Sequence, residues 1–299
     1  MSRAVLLGTG AFPPILRLWL ETYRKWQNEV DKLYIAVDNW NIPEARGYFL
    51  NLIKEFPNAV ILENTRGWPD SYADAYKQSK EDNFLIMHDD TFVYKKGIVD
   101  NYFKIAEQGE VVTQKHEIYS PVDIVNAVLG KKYNWNSPPY SFLLYFLFIS
   151  RQNLEKTSLN FNGIGWKKGD DIPLLGIENA TDGIAGDTGF LLGLELFEKQ
   201  VPFHWIPDRS GWVHLQNTGN TIPLWFTQDI DARAWDLKVE EARLAWLYEM
   251  MRTESFDEIP EFKKKCEDIL KKVVLKCGSD IDMIEKIADN FHQLLYDKL

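Results

Sequence analysis

Apolar residues recur along the first 120 positions in two alternating rhythms. Short continuous runs at Ala4–Leu7, Lys32–Val37, Ala59–Leu62, Phe84–Met87 and Val111–Tyr119 read as strands. Between them, apolar positions return at spacings of three and four, as in Ile15, Leu16, Leu18, Trp19, Tyr23 and Trp26 after Pro13-Pro14. That rhythm predicts helices from Pro13, from Pro43 to about Glu55, over Asp70–Lys80 and over Lys96–Glu107. Strands alternating with helices of this length imply crossover units, hence an α/β fold with a mainly parallel sheet and helices on both faces. In such sheets, ligands bind beyond the carboxyl ends of the strands. Four polar segments are predicted at that edge: Gly8-Thr9-Gly10, Asp38-Asn39, Asn64-Thr65-Arg66 and His88-Asp89-Asp90.

The pattern then loosens. Asn134 to Tyr140 reads as a loop by its Asn and Pro content, followed by a strand over Leu143–Ile149 and a short helix from Arg151. Residues 157–185 read as one long irregular segment, a kind more often functional than idle in a compact domain. A helix over Asp187–Lys199 and short strands at Phe203–Ile206 and Gly211–Leu215 follow, and from Thr227 the apolar spacing is helical throughout. The predicted organisation is one α/β domain over 1–225, with a nucleotide-binding half (1–120) and an acceptor half (121–225), and a helical appendage over 226–299.

Composition narrows the function classes. With 45% hydrophobic and 26% charged residues in 299, the chain has a globular balance. A formal net charge of −10 gives no strong electrostatic signature for nucleic acid, whose non-specific binding is carried by Lys and Arg. No apolar run reaches the roughly 18 residues of a membrane span, and the N-terminus lacks a secretory pattern, so a cytoplasmic protein is expected. Cys266 and Cys277, eleven residues apart on one predicted helix, are too far apart to pair and read as free thiols. Lys263-Lys264-Lys265 and Lys271-Lys272 are interleaved with acidic residues, as on a solvated helix face.

The stretch FLIMHDDTFVY (84–94) carries the chemistry. Adjacent carboxylates commonly end strands and open turns. At the ligand edge of a parallel sheet, however, they are also the oxygen donors that Mg²⁺ or Mn²⁺ needs, and such ions complete their shell with substrate phosphates. A metal–diphosphate site is the functional reading.

At these residues the chain resembles the nucleotide-sugar-dependent glycosyltransferases of the GT-A fold, nearest to the large family 2 group, over about residues 4–217. YIAVDN (34–39) is similar to the strand whose terminal Asp contacts the nucleotide base, which implies Asp38 as base reader. NTRGWPDSYADAYKQSKEDNFLIMHDD (64–90) resembles the segment running from a nucleotide-contacting loop into the Asp-x-Asp metal motif. The match by position implies Asp90 as metal ligand and His88 at the motif's first position, where the family has a carboxylate. Whether Asp89 takes part of that role stays open. AGDTGFLLGLELFEKQVPFHWIP (185–207) resembles the segment that opens the acceptor-side helix in inverting members, implying Asp187 as general base, with Gly186 where the family has Glu. GWVHLQNTGN (211–220) places His214 where many members return a His to the metal, whereas His204 reads as packing.

The resemblance therefore implies a transferase that uses Mn²⁺ or Mg²⁺ and a nucleoside-diphosphate sugar donor, with Thr9, Gly10, Asp38, Arg66, Asp70, His88 and Asp89 around the donor and Asp90 and His214 on the metal. Asp182 is the fallback base, and Asp170-Asp171 read as a turn. Among the 11 Trp, 13 Tyr and 17 Phe, Trp135, Tyr140, Trp166 and Trp212 fall in or beside the loops near the site, where a ring can stack on a sugar. The acceptor stays open among glycan, lipid-linked sugar, protein and modified nucleobase. Three alternatives stand beside the inverting enzyme. One is a retaining enzyme of the same fold, because HLQNTGNTIPLW loosely echoes a segment of retaining members. Another is a nucleotide-sugar-binding protein without catalysis, and the third is a nucleotidyltransferase.

Overall fold

The computed structural model describes residues 1–10, 13–37, 46–63, 69–116, 141–166, 168–171, 178–179, 183–186, 188–207, 211–214, 244–245, 247–249, 251–252, 260–278 and 280–292. The first half follows the predicted alternation: β1 (Arg3–Thr9), α1 (Pro13–Arg24), β2 (Lys32–Val37), α2 (Arg46–Ile53), β3 (Ala59–Leu62), α3 (Asp70–Gln78) and β4 (Asn83–His88). After β5 (Thr91–Val93) come α4 (Ile98–Ala106), β6 (Val111–His116), β7 (Ser141–Ser150) and the single turn α5 (Arg151–Leu154). The chain continues through β8 (Ile164–Trp166), β9 (Gly183–Gly186), α6 (Phe190–Glu198), β10 (Phe203–Ile206) and β11 (Trp212–His214).

Seven strands form one sheet in the order β3-β2-β1-β4-β7-β6-β10. All pairings are parallel except those of β7, which runs antiparallel to both β4 and β6. This mostly parallel sheet with helices on both faces is the α/β architecture that the alternation of strands and helices predicts. The reversal of β7 was not predicted, because its ten-residue apolar run reads identically in either direction. Residues 157–185 were expected to be wholly irregular, but β8 and β9 pair within them as an antiparallel ribbon. The second ribbon, β5 with β11, was also not foreseen.

Period-two alternation along β1 explains the two layers. Val5 and Leu7 point into one apolar cluster with Leu16 and Trp19 of α1, Phe49 of α2 and Phe103 of α4. Ala4 and Leu6 point into the other, with Tyr72 and Tyr76 of α3 and Leu192 and Leu196 of α6. Fully burying each of the larger side chains contributes about 1.5–3 kcal/mol. Helical residues between 244 and 252, together with α7 (Pro260–Cys277) and α8 (Ile281–His292), close the described chain. Their buried residues Leu244, Phe262, Ile269, Val273 and Ile284 belong to the same cluster as α1 and α4. Tyr248 and Arg252 tie this segment to α8 through Glu285 and Asp289. Cys266 is a buried free thiol whose pKa burial pushes up. The expected domain boundary near residue 225 lies outside the described residues.

Gly189 caps α6 at φ +91°, and a Cβ built there would stand 2.5 Å from Leu144 Cγ. Gly189→Ala is expected to lower stability by roughly 2–4 kcal/mol through left-handed backbone strain and overpacking. Urea unfolding checks this, and a change within 0.5 kcal/mol (about the spread of a surface substitution) would contradict it.

Candidate functional site

The register of the central strands builds the site. Gly8 on β1 is the Cα partner of His88 on β4, so the next residues, Thr9 and Asp89, leave the sheet side by side. The Thr9 hydroxyl donates to Asp89 Oδ2 at 2.5 Å, and the Gly10 N–H also donates to the Asp89 carboxylate. Asp89 is thereby clamped to the end of the neighbouring strand. Thr9 and Gly10, which the resemblance puts at the donor, do this work in the described structure. Burial and the adjacent Asp90 raise the pKa of Asp89, and the two hydrogen bonds oppose that rise.

Asp90 turns the other way. β5 begins at the next residue and pairs antiparallel with β11, with Thr91 opposite His214. This short ribbon brings His214 back across more than 120 positions of chain: His214 Nε2 stands 3.3 Å from Asp90 Oδ1. His88 Nδ1 faces the same oxygen at 3.9 Å. One ligand atom each from His88, Asp90 and His214 fall within 4.8 Å of one another. Asp90 is almost fully buried, the two imidazoles keep about 15% of their side-chain surface exposed, and Asp90 Oδ1 and His214 Nε2 are themselves buried.

Aromatic rings fix both imidazoles. Tyr145 of β7 stacks on His214 with centroids 3.9 Å apart and planes 15° apart, and its hydroxyl donates to Gln114 Oε1. Tyr72 of α3 lies nearly parallel to His88 at 6.3 Å. Burial pushes the His88 pKa down to about 3, outweighing the attraction of Asp90 and joined by repulsion from His214. His88 is therefore neutral at ordinary pH and presents a lone pair, as a metal ligand must. Burial, reinforced by Asp89 and Asp90, raises the Tyr72 pKa and keeps the phenol neutral.

The donor set suits a divalent cation. Two imidazoles and a carboxylate supply three bonds of the kind such ions accept, and adjacent ligands on one ion at about 2.1 Å stand roughly 3 Å apart. The 3.3 Å between Asp90 Oδ1 and His214 Nε2 is close to that, and the 3.9 Å to His88 Nδ1 is longer. Asp89, one residue away, is held out of the cluster by Thr9.

Of the other expected residues, Asp70 opens α3, two positions before Tyr72. Trp212 is 2% exposed, stacks on Phe146 and packs against Tyr145, so its ring belongs to the core and leaves no face open to a sugar. Trp166 ends β8. Asp38, Arg66, Trp135, Tyr140, Asp182 and Asp187 lie outside the described residues. Sequence reasoning did not single out Tyr72 or Tyr145. Tyr145 sits in a continuous apolar run, where nothing distinguishes a site-facing position from a core one.

Gly211 sets the start of the returning ribbon. Its carbonyl accepts from the N–H groups of Tyr94 and Lys95, its φ is +125°, and a Cβ there would meet Lys95 Cβ and Ile98 Cδ1 at 2.7 Å. Gly211→Ala is expected to shift His214 away from Asp90. Calorimetry should show divalent-ion affinity reduced at least about tenfold, the scale on which displaced outer contacts of a metal site act, and unchanged affinity would contradict this.

No protein-family model matches the chain, and no curated protein matches it. Among solved structures, residues 1–349 of TarS from S. aureus align with a TM-score of 0.43 and 11% identity, covering 98% of this chain and 92% of that one. The same TarS fragment in complex with UDP-GlcNAc gives 0.45 and 10%, covering 83% and 66%. The 4-diphosphocytidyl-2C-methyl-D-erythritol synthase of Anaerococcus prevotii gives 0.44 and 10%, covering 75% and 95%. At TM-scores below 0.5, these likenesses bear on neither donor nor reaction. No helix among the described residues is long and apolar enough to cross a membrane.

Proposed function

We propose that the protein is a metal-dependent glycosyltransferase that moves a sugar from a nucleoside-diphosphate sugar to an acceptor hydroxyl with inversion. The observation that carries this reading is the His88–Asp90–His214 cluster at the carboxyl edge of the parallel sheet, where phosphate-bearing ligands of such folds sit. A Mn²⁺ or Mg²⁺ ion bound there supplies positive charge to the departing diphosphate.

The chain's own residues do the rest. The clamp from Thr9 and Gly10 onto Asp89 holds the ends of β1 and β4 together beneath the diphosphate. Asp38 reads the nucleotide base, Arg66 contacts phosphate through its guanidinium, and Asp70 borders the donor from the start of α3. Asp187 follows Gly186, the last residue of β9, and takes the acceptor's proton as its oxygen bonds to the anomeric carbon. The bond from that carbon to the diphosphate breaks, and the nucleoside diphosphate leaves with the electron pair. Trp135, Tyr140 and Trp166 line the acceptor side of the 121–225 half, and residues 226–299 form the helical appendage.

Incubation with Mn²⁺ and a panel of nucleoside-diphosphate sugars is expected to release nucleoside diphosphate, slowly to water and faster once an acceptor is found. The anomeric configuration of the product, read by NMR, is expected to be inverted. Retained configuration contradicts the role of Asp187. Binding without release across acceptors contradicts catalysis, and pyrophosphate release from a nucleoside triphosphate would point to nucleotidyl transfer instead.

A further inference from the structure

We propose that His88 is itself a metal ligand, so that the site is a two-imidazole, one-carboxylate centre that selects a first-row transition ion over Mg²⁺, with Asp89 a structural clamp and no ligand. The inference deepens the donor reading and rests on it for the ion's task, but its geometry stands on the cluster alone.

Asp90 Oδ1 is shared, facing His214 Nε2 at 3.3 Å and His88 Nδ1 at 3.9 Å. The rings of His88 and His214 are 6.1 Å apart at 73°, so both nitrogens converge on that oxygen from different directions. Tyr145 on one ring and Tyr72 on the other hold them in place. Asp89 has the charge a ligand needs, yet its carboxylate is engaged by Thr9 Oγ1 and Gly10 on the neighbouring strand.

The ion follows from the donors. Mg²⁺ demands oxygen ligands and dehydrates reluctantly, whereas imidazole nitrogens bind first-row transition ions, with affinity rising from Mn²⁺ through Fe²⁺ and Co²⁺ to copper and falling again at Zn²⁺. A carboxylate at position 88 would leave that choice open to Mg²⁺, and a histidine there closes it.

The test measures metal binding by the full chain without any nucleotide, using Co²⁺, Mn²⁺ and Mg²⁺ with calorimetry, the visible absorption of bound Co²⁺, and nitrogen coupling in the electron-spin-echo spectrum of bound Mn²⁺. The wild type is expected to bind Co²⁺ at least about a hundredfold more tightly than Mg²⁺, with two nitrogen donors. His88→Asn and His88→Ala should each cost at least tenfold in Co²⁺ affinity and remove one nitrogen coupling. His88→Asp should narrow the Co²⁺ to Mg²⁺ ratio, and Asp89→Asn should leave Co²⁺ affinity within a few-fold of wild type. The inference is overturned if both His88→Asn and His88→Ala bind Co²⁺ like wild type while His214→Ala does not, or if Asp89→Asn loses the ion as Asp90→Asn does. Transition-ion binding of the expected pattern with no nucleotide-sugar binding would support the inference and overturn the donor reading instead.

Discussion

Asp90→Ala should abolish metal-dependent turnover while the protein stays folded. Asp90 contributes the only carboxylate of the cluster, and one of its oxygens faces both imidazoles. Without it, an ion loses its anionic anchor and the leaving diphosphate loses its counter-charge. That stabilisation is worth several kcal/mol, or about a 10³-fold fall in kcat. Stability should move differently. Asp90 is buried beside Asp89, and removing one of two crowded carboxylates relieves their repulsion. In metal-free buffer, the melting temperature of the variant is therefore expected to equal or exceed that of wild type. Added Mn²⁺ should raise the wild-type value by mass action and leave the variant unmoved. Unchanged activity in Asp90→Ala would return Asp89-Asp90 to the role of a strand end and its turn.

The second large effect is expected at Asp187. Replacing it with Asn keeps size and polarity but removes the base, and general-base catalysis contributes typically 10²–10⁴-fold. Asp187→Asn should lower kcat by about that factor with donor affinity little changed, because the proposed mechanism assigns the residue to the acceptor and not to the nucleotide. Asp182→Asn should lower kcat far less. Kinetics at saturating donor separate the two, and the opposite ranking would transfer the base role to Asp182.

The elements legible in the sequence were those whose burial leaves a periodic trace. β2 and β3 were predicted to the residue because each is an apolar run flanked by helical spacing. β11 was predicted within Gly211–Leu215, but β5 was missed, since a three-residue strand directly after the polar pair is too short to show alternation. The direction of β7 depends on the connection before it, and a run buried on both faces carries no polarity of its own. Within the site, Asp90 was legible as one of two adjacent carboxylates at a strand end, whereas His214 was legible only through the family resemblance, because nothing local links positions 90 and 214. The clamp between Thr9 and Asp89 was not legible at all, as it follows from strand register, which parallel pairing sets through contacts distant in sequence. His88 was assigned to the donor by position in a motif, and the structure places its ring beside Asp90 and His214.

Titration of nucleoside-diphosphate sugars into the full chain, with Mn²⁺ present and then with the metal chelated, tests the central claim most directly. The account predicts binding by at least one donor that needs the metal, vanishes on chelation and is lost in Asp90→Ala. Absence of binding with every divalent ion, or binding that persists both without metal and in Asp90→Ala, would contradict it.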